Sequence, residues 1–263
     1  MFRPATLGGP FLLWYGMVVA VAAAGLAFFI TLEPPRSWTM LLLTLATVVT
    51  GTHYLALAHP GYRYFERRPV TFPYWVAPLA LAFGGAVFTE QFLGGWFTLI
   101  GMAGTGAGVA VLMYCQHLLA HPDAPPPAFA RVITNVAIYL AAFLLFVSLQ
   151  SSDIPPAVRM VVLGAVSGVL SLVILEERPK QSGRAFVYAG MVSLLIIELS
   201  WAFLLLPLGR VTTGLLLLMA FYFFSGLAHS HLVNRLNRGV VVEFVAVTLV
   251  ALGFLYWFQM ASS

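Results

Sequence analysis

The sequence predicts an all-α integral membrane protein, a single polytopic domain over residues 1–263 built as a bundle of about nine transmembrane helices with short loops. Three observations carry that expectation: charge is scarce, apolar residues run in lengths that match a bilayer, and basic residues sort to alternate loops. Of 263 residues, 61% are hydrophobic and 8% charged, and the mean hydropathy is +0.94. A soluble domain carries about 25% charged residues because water-facing surface must be solvated. Here 13 Lys and Arg with 9 Asp and Glu are too few to cover such a surface. Apolar runs near the roughly twenty residues that cross a hydrocarbon core recur along the chain. The expected solvent is therefore lipid.

Pro, Gly and charge punctuate the chain into spans near 11–32, 38–59, 73–89, 92–119, 130–150, 156–175, 185–206, 211–233 and 239–259. The first run, Phe11 to Thr31, is too long for a signal-peptide core, and Ala22-Ala23-Ala24 leads into more apolar sequence, so it reads as a retained anchor. Glu33-Pro34-Pro35-Arg36 stops it. The second span ends at His59-Pro60, before the largest basic loop. The third is short and turns into the fourth through Thr89-Glu90-Gln91; its omission gives the eight-helix alternative. Within the fourth span, Gly104 and Gly108 form a Gly-x-x-x-Gly, a spacing that lets helix backbones approach closely. Gly84-Gly85 and Gly94-Gly95 flank the 89–91 turn as flexible or tightly packed ends. Extended Ala124-Pro125-Pro126-Pro127 precedes the fifth span, and Pro155-Pro156 opens the sixth, where a missing N–H costs least.

Basic residues give an independent check on the count. Arg3, Arg63, Arg67, Arg68, Arg131, Arg178, Lys180, Arg184, Arg235 and Arg238 fall on one side of a nine-span chain, against Arg36, Arg159 and Arg210 on the other. The positive-inside rule then places the N-terminus in the cytoplasm. Removing the third span would scramble this sorting. Trp38, Trp75, Trp96 and Tyr256-Trp257 fall near predicted interfaces, as aromatic anchors do. The location expected is a plasma (inner) membrane, crossed many times.

An ionisable residue inside a membrane is a functional candidate, because facing lipid at a helix centre costs at least about 2.5 kcal/mol. Glu198, in Ile-Ile-Glu-Leu-Ser-Trp, is the deepest and is the candidate coupling residue; a neutral acid bonded to a neighbouring helix is the structural alternative. His53, His117, His229 and His231 fall toward the cytoplasmic ends of even-numbered spans, with Glu243 one turn inside the ninth. Imidazoles meeting at one depth can ligate a metal or haem or relay protons; singly, each is an interfacial or hydrogen-bonded histidine. His229 and His231, two positions apart, point to different faces. His59 and His121 sit at helix C-termini, where a cationic ring suits the helix dipole. Glu243 can equally pair with Arg235 or Arg238.

Absences narrow the field. One cysteine, Cys115, excludes an internal disulfide and any Cys-x-x-Cys motif. There is no His-Glu-x-x-His, no nucleophile elbow and no phosphate-binding loop. The only aspartates, Asp123 and Asp153, lie in loops. No cofactor, metal or catalytic group is assigned, and the net charge of +4, spread over short loops, does not point to nucleic acid. The expected partners are the bilayer and other membrane subunits. A non-enzymatic role follows, as a transporter-like carrier or an integral subunit of a membrane complex. The alternative is a membrane-embedded redox or lipid-modifying enzyme with a His/Glu site near the cytoplasmic leaflet.

Overall fold

The computed structural model describes residues 9–58, 72–119, 127–175 and 182–233, and beyond them 238–239, 241–242, 244–249 and 253. Eight long helices fill the first four stretches: α1 Gly9–Thr31, α2 Arg36–Ala58, α3 Phe72–Phe92, α4 Trp96–Leu119, α5 Ala128–Ser151, α6 Pro156–Leu175, α7 Ser182–Leu204 and α8 Arg210–Leu232. Among the described residues there is no strand. Seven of these helices, all but α3, are long and apolar enough to cross a membrane. Trp96 and Leu205 are each 81% exposed, a surface suited to lipid contact. The protein is a multi-pass helical membrane protein.

Helix limits follow local chemistry. α6 begins and ends where the Pro155-Pro156 signal and the charged loop predict. The 89–91 turn expected from sequence is instead helical. Glu and Gln are good helix formers, and the Leu93 N–H still donates to the Thr89 carbonyl at 3.0 Å. The reversal comes at Gly94-Gly95, where Gly95 adopts φ +59°, a left-handed conformation that glycine takes without a Cβ clash.

Two compact units make up the chain, residues 1–141 and 142–263, with the boundary inside α5. In the first unit α1 packs on α2 and α4, and α3 packs on both α2 and α4. In the second, α6, α7 and α8 pack on one another. The second half of α5 joins them through an edge-to-face contact between Phe146 and Phe221, whose ring centroids are 5.8 Å apart.

Glycine sets the pairing of the main hairpins, because in lipid helix association depends on close packing rather than on expulsion of water. In the α1–α2 hairpin Gly51 receives Val18 and, seven residues further along α1 and seven back along α2, Gly25 receives Thr44. Gly85 receives Thr105 in α3–α4, and four residues on and four back Gly101 receives Thr89. In α6–α7 Gly164 receives Ile197 and Gly168 receives Ser193 with the same antiparallel step. The expectation for the fourth span therefore needs correcting. Gly104 meets nothing within 4 Å, whereas Gly101 is closed over by Thr89 and Leu93 atoms 2.7 Å from where a Cβ would lie. Gly101, Thr105 and Gly108 share the α3-facing side, and Gly104 lies off it.

α3 is the most enclosed helix of the first unit. Val76, Ala77, Leu81, Ala82 and Ala86 are buried, and Pro78 lies within the helix. Tyr15 ties α1 to α4 by donating from its hydroxyl to the Ala110 carbonyl at 2.6 Å. Hydrogen bonds between membrane helices average about 0.6 kcal/mol and reach about 1.7. Tyr15→Phe should therefore lower unfolding free energy within that range in a reversible detergent titration, with no change in the far-ultraviolet helix signal.

Candidate functional site

The histidine candidates divide between the units. His53 is exposed on α2 and His117 half-buried on α4, in the first unit. His229 is half-buried and His231 exposed in the last turn of α8, in the second. Their two-residue spacing turns them to different sides, as the sequence predicts. His231 meets Tyr188 of α7 edge-on, centroids 5.7 Å apart. Glu243, His59 and His121 lie outside the described residues. Among the described residues no three His, Cys, Asp or Glu side chains come together closely enough to hold a metal ion.

Glu198 occupies a different environment. α7 buries Ala185, Ala189, Val192, Ile196 and Ser200, which recur at helical spacing along one side. The side away from that stripe carries Val187, Met191, Leu194 and Trp201, exposed by 54–65%, and Glu198 is exposed among them. Glu198 lies six positions before the helix end at Leu204, which is about 9 Å along the axis. The structure thus places a carboxyl on the outward side of an apolar span, two positions from Ser200, which faces the core.

Ser200 belongs to a polar group that sequence reasoning missed, at the C-terminal end of α5. Gln150, buried, donates from Nε2 to the Ser200 hydroxyl at 3.5 Å. Arg159 Nη1 donates to the Gln150 carbonyl at 3.5 Å, and Arg210 Nη1 to the Ser151 carbonyl at 3.0 Å. The last carbonyls of a helix have no intrahelical partner and sit at the negative end of its dipole, so two guanidinium groups cap α5. Arg159 and Arg210 are two of the three basic residues that depart from the sorting of positive charge. That departure, together with the polar string Gln150-Ser151-Ser152-Asp153, was the available signal.

Hydroxyls continue into the interior of the second unit. Ser193 on α7 donates across to the Gly164 carbonyl of α6 at 2.7 Å. Ser167 and Ser225 bond back to Leu163 and Phe221 of their own helices at 2.8 and 2.6 Å. Ser148 and Ser171, also buried, have hydroxyls with no hydrogen-bond partner among the described residues.

These features define a class, a multi-pass helical membrane protein with a carboxyl, Glu198, on the outward side of an apolar helix and a hydroxyl-bearing second unit. The chain belongs to the family described as protein of unknown function DUF5656, whose profile matches residues 13–258. No curated protein and no solved structure matches it significantly.

Proposed function

We propose that this protein is non-catalytic and serves as an integral subunit of a membrane complex, with nine spans in a plasma membrane and its N-terminus in the cytoplasm. The observation that carries the reading is Glu198 on the outward face of α7. A carboxyl facing acyl chains costs at least about 2.5 kcal/mol at a helix centre, and a neighbouring protein surface removes that cost. The test is particle size in native-membrane nanodiscs. The wild type should run larger than one 28.6 kDa chain in its disc, and Glu198→Leu should shift particles toward the single-chain size. A wild type that is already single-chain, with Glu198→Leu unchanged, would overturn the reading.

The nine-span topology makes its own prediction. Cysteines placed after Ser152 and after Arg184 should react with an impermeant maleimide from opposite sides of sealed cells, the Arg184 site only after permeabilisation. Labelling of the Arg184 site from outside, with the Ser152 site reacting only after permeabilisation, would reverse the assignment, and labelling of both from outside would overturn the topology.

A second reading, a carrier, is favoured by the buried hydroxyls of Ser148 and Ser171. Buried polar groups are normally bonded to protein or ordered water, and water at these sites would hydrate the interior of the second unit. Ser148→Ala with Ser171→Ala should then abolish uptake in proteoliposomes while leaving particle size unchanged. The redox or lipid-modifying alternative, with His53, His117, His229 or His231 and Glu243, requires ligands from both units. An absorption band near roughly 400–430 nm, or stoichiometric metal, in purified protein would support it.

A further inference from the structure

We propose that the outward face of α7 is the contact between two copies of this chain, with Glu198 of one copy hydrogen-bonded to Glu198 of the other. The proposal rests on the subunit reading and names the neighbour as a second copy.

Depth is the first argument. Identical chains insert in one orientation, so Glu198 lies at one level in every copy. A two-fold axis along the membrane normal sets two α7 helices side by side and parallel, with equivalent residues meeting. Such an axis brings carboxyl to carboxyl without any shift in depth. Val187, Met191, Leu194 and Trp201, on the same exposed side, would pack above and below the pair.

Chemistry is the second. A protonated carboxylic acid has one O–H donor and a carbonyl acceptor, so two of them satisfy each other. Among the described residues the arginines near its level are engaged elsewhere. Each Arg in α1–α8 (Arg36, Arg131, Arg159, Arg184 and Arg210) falls within the first four residues of its helix. Arg159 and Arg210 are in addition bonded to carbonyls of α5. Glu198, in the second half of α7, lies toward the same end of the bundle as Arg159 and Arg210, which are already bonded to α5 carbonyls, so its counterpart in a second copy is the partner at its level that remains.

The test uses the full chain in native membranes, with Cys115→Ala removing the single native thiol. Leu194→Cys and Trp201→Cys should form disulfide-linked homodimers on mild oxidation, and Val192→Cys, on the buried side, should not. Adding Glu198→Gln should preserve the Leu194→Cys cross-link to within about twofold, since an amide also donates and accepts. Glu198→Lys should reduce it by about tenfold or more, because two ammonium groups would meet in lipid. Absence of homodimer at both outward positions, or a Glu198→Lys variant that cross-links as the wild type does, would overturn the proposal. Two differently tagged copies separate it from the reading beneath it. If they never co-purify while Glu198→Leu still shrinks the native particle, the second copy is excluded and the subunit reading stands. If they never co-purify and particle size ignores Glu198, both fall.

Discussion

Gly214→Leu should abolish the folded second unit, giving aggregated or degraded protein by fluorescence-detected size exclusion, and Gly214→Ala should lower its stability by about 1–3 kcal/mol. The size of the effect follows from what a Cβ at Gly214 would meet. Val147 Cγ2 would lie 2.6 Å away, its Cα 2.9 Å and its N 3.1 Å. A side chain can change rotamer, but the Cα and N of Val147 belong to the α5 backbone, so relief requires α5 and α8 to separate. That separation would also open the contact between Phe146 and Phe221, each 0% exposed. Interiors at crystal-like density lose dispersion contacts outright when a gap opens. Trimming Val147 to Ala should therefore recover little. A Gly214→Leu variant with the wild-type elution profile would show that the backbones are not in contact.

Gly85→Leu should be nearly as damaging in the first unit, with a different genetic signature. A Cβ there collides with the Thr105 side chain, whose Cβ lies 3.0 Å away, and the neighbouring atoms are those of a short β-branched residue with little freedom to move aside. Gly85→Ala should cost about 1–3 kcal/mol. Thr105→Ala in the same chain should recover at least half, because it removes the two atoms in closest collision and forfeits only the bond from Thr105 Oγ1 to the Gly101 carbonyl. Thermal unfolding of the four combinations in one detergent measures the coupling. Purely additive losses would remove the Gly85–Thr105 seam from the account.

These seams show how far the sequence could be read. The all-helical membrane class is legible because lipid demands that every backbone group be bonded within its own segment, and composition alone reports the solvent. The start of α6 was readable from Pro156 and its end from the charges after Leu175, and the split of His229 from His231 from their spacing. The packing faces were not. With lipid outside and apolar side chains inside, no amphipathic stripe separates core from surface, and only the positions of small residues mark the inside. Gly104 and Gly108 match a familiar spacing, yet the tight contact falls on Gly101, because antiparallel register with α3, set by the turn at Gly95, decides which glycine faces Thr89. The α5 cap was missed for a related reason. Arg159 and Arg210 lie 51 positions apart in the chain, and only the fold brings them to adjacent carbonyls, those of Gln150 and Ser151. Glu198 was legible as an anomaly, but its outward direction was not, since Ser200 two residues later marks the opposite side.

The enclosed position of α3 has a consequence for how the protein is made. An emerging helix leaves the translocation channel for lipid when its side chains partition favourably, and large aliphatic residues drive that step. α3 holds Pro78, Gly84 and Gly85 and few such residues, because the space its neighbours leave is narrow. The features that let it fit between helices are those that weaken its entry alone. With only Leu93-Gly94-Gly95 separating it from α4, the two should enter the bilayer as a preformed hairpin, Thr89 against Gly101 and Thr105 against Gly85. Insertion and tertiary packing are then one event in the first unit, and a substitution at this seam would be exposed to quality control during synthesis, before the second unit has left the ribosome.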